Sequence, residues 1–211
     1  MRRSYEQTGV DVDDLPADPV QAFDGWFDAA VTAGIVEPNA MVLATVDADG
    51  APAARTVLLK GYDHEGLRFF TNLGSAKARD LAANSRAALV FPWHPMSRQV
   101  RVTGRVERLP DADAAAYFAS RPRGSQLGAW ASPQSTVVHS RETLDAALDE
   151  VEQRFPAGTP VPLPPFWGGY LVRPDSWEFW AGRVGRLHDR ISYRRKEAGS
   201  ESGWTVARLA P

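Results

Sequence analysis

Two four-residue turn sequences constrain this chain more than any other feature. "DADG" (47–50) and "DHEG" (63–66) separate three runs rich in β-branched, aliphatic and aromatic residues: "AMVLATV" (40–46), "PAARTVLLKGY" (52–62) and "LRFFTN" (67–72). Connections that short join antiparallel neighbours, because a parallel pair needs a crossover of a dozen or more residues. Two further strands are read in "RAALVFPWH" (86–94) and "QVRVTGRVERL" (99–109). In the latter, Val100, Val102 and Val106 share one face, while Gln99, Arg101, Thr103 and Arg105 share the other. Gly104 interrupts the apolar row, which marks a bulge or bend. Final strands are expected around 168–180, 186–195 and 203–209, with "KEAGSESG" (196–203) as a hairpin loop. The expected fold is mainly β and antiparallel, closed into a barrel, with helices packed outside.

Helices are read at 18–34, 75–85, 111–121 and 140–155. Asp18 is a suitable N-cap for the first, Pro19 suits its first position and Gly34 its end. Val20, Phe23, Phe27, Ala30 and Val31 form its apolar face. Pro122 stops the third helix, and Leu144, Leu148, Val151 and Phe155 form the buried stripe of the fourth. The division expected is an N-terminal segment (1–17), able to act as a mobile lid, and a single domain (18–211).

Composition narrows the chemistry. With 211 residues the chain can bury one proper core. Its net charge of −2 argues against nucleic acid or an anionic membrane, so an anion site must come from a local cluster of cations. Absence of cysteine excludes disulfides and thiol chemistry, and the scattered His64, His94, His139 and His188 offer no metal-ligand spacing. No apolar run approaches the ~18 residues of a membrane span, and no signal peptide is read at the start, so the expected location is cytoplasmic. The seven tryptophans leave two readings open: walls of a flat ligand's pocket, or filling for a β-rich core.

Four short segments place cations in apolar or aromatic surroundings. Arg55 and Lys60 bracket "RTVLLK" at an odd separation, which puts them on opposite faces of a regular strand. Lys77 lies in the first turn of a helix, where free N–H groups already favour an anion. Tyr117 and Arg121 are spaced i, i+4, with Ser125 beyond the proline. In "GRLHDRISY" (185–193), Arg186, His188 and Arg190 alternate, so an extended strand would set them in one row about 7 Å apart. Taken singly, each segment also reads as ordinary surface charge. Together they suit a phosphorylated flat cofactor and a phosphorylated substrate better than nucleic acid.

The blocks "RTVLLKGYD", "FFTNLGSAKA", "LVFPWH", "RQVRVTGRVERL", "YFASRPRGSQLGAWAS", "PLPPFWGGY" and "EFWAGRVGRLHDR", with the closing "RLAP", resemble the pyridoxamine 5'-phosphate oxidase family, in order from about Tyr5 onward. The resemblance implies a homodimeric split barrel with FMN at the subunit interface. It also implies oxidation of pyridoxamine or pyridoxine 5'-phosphate to pyridoxal 5'-phosphate, with dioxygen as acceptor and hydrogen peroxide as product. The flavin-binding residues it implies are Arg55, Thr56, Val57, Leu58, Leu59, Lys60, Phe70, Thr71, Lys77, Gln99, Gln134, Ser135, Trp180 and Arg190. Lys60, Tyr117, Arg121 and Ser125 would hold the substrate phosphate, so Arg55 and Lys60 would serve different phosphates. Arg186 and His188, the implied catalytic pair, would contact the substrate with Leu187, and Arg2, Arg3 and Tyr5 would fold over it. Which group handles the substrate proton stays open, histidine being the side chain that titrates near neutrality.

Three departures from the family pattern stand out. Ala76 replaces a second basic residue before the lysine, the N-terminal "GVDVDDLP" is acidic, and Gly185 stands where a polar residue is frequent. Two other readings are weighed against the resemblance: a related flavin oxidase acting on another substrate, such as a phenazine precursor, and a non-catalytic flavin- or pyridoxal-phosphate-binding protein. The first would lose Lys60, Tyr117, Arg121 and Ser125; the second would lose Arg186 and His188.

Overall fold

The computed structural model describes residues 9–196 and 203–211; Arg2, Arg3 and Tyr5 lie outside the described residues. In chain order the elements are α1 (Pro19–Thr32), β1 (Ala40–Val46), β2 (Pro52–Leu58), β3 (Gly61–Asp63), β4 (Gly66–Asn72), α2 (Ala76–Ala83), β5 (Arg86–Trp93) and β6 (Arg98–Arg108). They continue with α3 (Asp111–Ser120), α4 (Arg123–Ala131), α5 (Arg141–Arg154), β7 (Trp167–Ala181), β8 (Asp189–Arg195) and β9 (Trp204–Arg208). The sheet runs β2-β1-β5-β6-β7-β4-β3, and every neighbouring pair is antiparallel.

Closure comes from a two-residue link. β2 and β3 lie at the two ends of the sheet, yet only Leu59 and Lys60 separate them in the chain. The Leu59 N–H donates to Asn39 O, beside β1, and the Lys60 N–H donates to Arg68 O in β4, each at 2.8 Å. The run 52–62, read as one strand, is therefore two, broken where the barrel closes. At the other side, β7 is long enough to serve three partners. β6 pairs along one edge, while the other edge is shared between β4 at Trp167–Val172 and β8 at Ser176–Ala181. This fork carries β8 and β9 away from the barrel.

Inward alternation builds the main core from Met41, Leu43, Leu89, Phe91, Val100, Val102, Trp177 and Phe179, all essentially inaccessible to solvent. Gly104 lies at the bulge the sequence suggests, where the β6–β7 register shifts. A Cβ there would sit 2.0 Å from the Arg173 carbonyl oxygen, so the two backbones can approach only at glycine. Helix α1 opens as read, with Asp18 Oδ1 accepting from the Val20 N–H at 3.0 Å. Its Phe23 packs against Phe91, Trp177 and the edge of Tyr62. Val31 is half exposed, and Trp26 takes the buried place on that face.

Two helical readings need correction. Helix α4 was not expected; Pro122 ends α3 but immediately precedes α4, because a proline that cannot continue one helix suits the start of the next. The expected stripe is only partly buried: Leu148, Val151 and Phe155 pack on a second cluster formed by Ala114, Phe118, Leu127, Val161 and Trp167.

Candidate active site

Between the barrel strands β2 and β4, helix α2 and the α3–α4 pair lies a cleft of about 870 Å³, within the usual range for a small-molecule site. Of the sequence-derived candidates, Arg55, Thr56, Val57, Leu58, Lys60, Phe70, Thr71, Lys77, Tyr117, Arg121, Ser125, Gln134 and Ser135 line it. Leu59 does not; its side chain is buried in the main core. Asn72, Ala76, Ser132 and Trp167 also line the cleft and were not picked out as ligand contacts. No local pattern identifies them, because the folding of α4 and the start of β7 onto β4 brings the last two into place.

Arg55 and Lys77 form a first group, close enough for the Arg55 charge to act on Lys77. Lys77 Nζ donates to Thr71 Oγ1 at 3.1 Å and to Gln134 Oε1 at 2.8 Å, and Thr71 Oγ1 donates to the same Gln134 oxygen at 2.9 Å. An ammonium has three donors, so one N–H remains for a ligand. Burial, and then the Arg55 charge, hold the Lys77 pKa below its ordinary value, against the opposing pull of Asp80. Lys77 also lies in the first turn of α2, whose free backbone N–H groups add to the positive potential.

Lys60 and Arg121 belong to a second group, arranged around stacked rings. Phe70, Tyr117 and Trp167 stack on one another, with Phe70 and Trp167 inclined by only 2°. The Arg121 guanidinium lies 5.0 Å from the Trp167 ring, and Lys60 Nζ lies 5.9 Å from the Tyr117 ring. Arg121 Nη1 is buried without a hydrogen-bond partner in the described structure. Burial lowers the pKa of this arginine, so its charged form carries a desolvation cost that an anion would offset. The donor sets of the two groups thus fit a molecule or molecules with two phosphates, and FMN with a phosphorylated substrate meets that description.

The remaining candidates form a patch outside this cleft. Gln99, Trp180 and Arg190 are register neighbours across β6, β7 and β8, so they stand side by side on one sheet face. Trp180 and His188 have ring centroids 4.8 Å apart. His188 Nδ1 accepts from the Arg183 N–H at 3.1 Å, which leaves the neutral ring's proton on Nε2. The alternating row expected of Arg186, His188 and Arg190 does not form. β8 begins only at Asp189, and Gly185 and Arg186 both take left-handed backbone angles, φ 70° and 65°, in the turn before it. The turn leaves Arg186 and Leu187 exposed. Arg190 is held twice by Glu178, at 3.0 Å through both Nε and Nη2, and it donates to Ala210 O at 2.9 Å.

Among the described residues no cluster of metal-ligating side chains occurs, and no helix is long and apolar enough to cross a membrane.

A family model described as pyridoxamine 5'-phosphate oxidase matches residues 27–155, and one described as the pyridoxine 5'-phosphate oxidase C-terminal dimerisation region matches 167–211. A pyridoxine/pyridoxamine 5'-phosphate oxidase of Rubrobacter xylanophilus is 54% identical over 211 residues, covering all of this chain and 95% of its own. Its counterpart in Salinispora arenicola is 55% identical over 212 residues with the same coverage. Among solved structures, PhzG from Burkholderia lata, in complex with tetrahydrophenazine-1-carboxylic acid, is 29% identical. It superposes with a TM-score of 0.89 over 99% of this chain and 100% of its own. An FMN-binding protein from Nostoc punctiforme shares the fold at 20% identity, with a TM-score of 0.71 over 90% of this chain and 97% of its own. With both models matched in order and identity above one half over its full length, this chain belongs to the pyridoxamine 5'-phosphate oxidase family.

Proposed function

We propose that the protein oxidises pyridoxamine 5'-phosphate and pyridoxine 5'-phosphate to pyridoxal 5'-phosphate, using FMN and dioxygen and releasing hydrogen peroxide. The observation that carries this reading is the convergence of two cation groups on one cleft, Arg55 with Lys77 and Lys60 with Arg121. Full-length relatives bearing that activity in their names support the same reading. FMN, when bound, supplies the two-electron acceptor that dioxygen regenerates. Arg55, Lys77 and the first turn of α2 bind its phosphate, while Thr71 and Gln134 orient the Lys77 ammonium. Lys60, Tyr117, Arg121 and Ser125 hold the substrate phosphate, with Lys60 and Arg121 set against the stacked rings of Tyr117 and Trp167.

In this reading the cleft of one subunit is completed by the Gln99–Trp180–Arg190 patch of a second copy, with FMN between them. The match of 167–211 to a dimerisation region supports that arrangement, because this segment carries Trp180, Arg186, His188 and Arg190. Arg186 and His188 then face the substrate, where a guanidinium stabilises negative charge developing on the reacting rings. The described end of the N-terminal segment, with Val10, Val12 and Leu15, packs on the main core and so is not the part that covers the substrate. A phenazine-type substrate is less well supported, since the relatives above one half identical are named for pyridoxine and pyridoxamine 5'-phosphate, whereas PhzG is 29% identical.

The direct test supplies FMN-loaded protein with pyridoxamine 5'-phosphate in air and measures peroxide and pyridoxal 5'-phosphate together. Equal yields of both are expected. A yellow protein that makes neither would refute the substrate assignment.

A further inference from the structure

One charged residue in this region has no place in the reading above. Asp80 is buried on α2, three residues beyond Lys77, and although it does not line the cleft its carboxylate contacts Arg55, which does. A carboxylate beside a phosphate site weakens attraction for the anion, so simple charge attraction does not account for it. Its contacts do. Asp80 Oδ2 accepts from Thr45 Oγ1 at 2.6 Å and from Arg55 Nη2 at 3.2 Å. Arg55 Nη1 donates to Thr45 Oγ1 at 2.5 Å and, more weakly, to Leu43 O at 3.4 Å.

We infer that Asp80, with Thr45, is a positioning residue that fixes Arg55 for recognition of the cofactor's phosphate, and that this clamp sets the preference for FMN over riboflavin. The inference rests on the cleft being the FMN site. Arg55 projects from β2, which pairs only with β1 in the sheet and is largely exposed, so its long side chain would otherwise sample many rotamers. Three acceptors on β1 and α2 remove that freedom before any ligand arrives. A guanidinium has five N–H donors; the clamp engages three and leaves two for an anion. Ala76 sharpens the point, because at this lining position it offers no charge. Discrimination of the phosphate therefore falls to Arg55, Lys77 and the α2 backbone, and Arg55 contributes only when correctly aimed.

The test compares FMN and riboflavin, which differ by the phosphate alone, by quenching of flavin fluorescence on titration with the apoprotein. Wild type is expected to bind FMN more tightly than riboflavin. Asp80→Ala should weaken FMN by about tenfold, the effect of losing one charge-assisted contact, and leave riboflavin unchanged. Asp80→Asn, whose amide oxygen can still accept from both partners, should recover part of the loss. Thr45→Val keeps shape and burial while removing one arm of the clamp, so it should reduce the FMN preference even if Asp80→Ala fails to fold. Equal weakening of both flavins, or an unchanged FMN-to-riboflavin ratio in the folded variants, overturns the clamp. A wild-type protein that binds neither flavin overturns the cofactor reading itself, and the clamp with it.

Discussion

The ring of Phe70 lies nearly flat against that of Tyr117, with 4.1 Å between centroids and 13° between planes. Phe70 belongs to the barrel strand β4 and Tyr117 to the helical layer, so this contact joins the two halves of the cleft wall. Stacked pairs contribute about 0.5–1.5 kcal/mol beyond their buried area. Tyr117→Ala is expected to lower the melting temperature and raise KM for pyridoxamine 5'-phosphate at least several-fold. Tyr117→Phe keeps the stack, so it should preserve stability and raise KM alone. Thermal melts and steady-state kinetics on the two variants separate these effects.

Arg121 gives the opposite pattern. Its buried Nη1 has no partner, and an unsatisfied buried donor costs about 1–3 kcal/mol. Arg121→Leu should therefore hold or raise the melting temperature of the ligand-free protein, despite losing the contact with Trp167. The same variant should lose the preference for phosphorylated over unphosphorylated pyridoxamine by tenfold or more. A drop in stability with unchanged preference would contradict the role assigned to this residue.

Arg186 occupies a left-handed backbone conformation that a non-glycine residue adopts at a cost of about 1–2 kcal/mol. Arg186→Gly should relieve that strain, offset in part by the greater freedom glycine gives the unfolded chain. Arg186→Leu keeps the strain. Both variants should remain yellow, be less stable than wild type by no more than about 1 kcal/mol, and turn over substrate poorly. Full activity in either would remove Arg186 from the site.

The proposed two-subunit site makes a quantitative prediction for mixed dimers. Arg121→Gln damages the cleft and Arg186→Leu damages the patch, so each homodimer should be nearly inactive. Unfolding and refolding an equal mixture places half of the chains in heterodimers, each with one site built from two undamaged surfaces. Recovery of about one quarter of wild-type activity is the expected result. Sites formed within one chain would recover none.

Asp189 anchors Val10 and Arg208: it accepts from the Val10 N–H at 3.0 Å and from Arg208 Nη1 at 2.5 Å. Burial raises its pKa, but these donors, with Arg183, outweigh burial and hold the carboxyl below the ordinary value. A depressed carboxylate stabilises the fold fully above its unfolded pKa, near 4, and that contribution disappears as pH falls through the lower folded value. Asp189→Asn should thus be less stable than wild type at pH 6, by about 1–3 kcal/mol. The gap should narrow below pH 4, as followed by denaturant melts across that range.

Much of the barrel was legible before folding. Turns at 47–50 and 63–66 dictated antiparallel neighbours, alternation around Val100 and Val102 identified the inward face, and Gly104 marked the bulge. Such signals are local, because side-chain direction alternates with period two whatever the strand's partner. The resemblance also named most of the residues that line the cleft. Tertiary structure alone decided how they divide. Arg55 and Lys60 fall into different groups because the chain breaks at Leu59 to close the barrel. Gln99, Trp180 and Arg190 become neighbours only through the β6–β7–β8 register, across up to 91 residues of sequence. Helix α4 escaped notice because Pro122 reads as a stop until the following turn packs, and Asp80 reveals its role only once α2 lies against β1 and β2. Strand pairing and helix docking are selected by non-local burial and hydrogen bonding, which no short window of sequence contains.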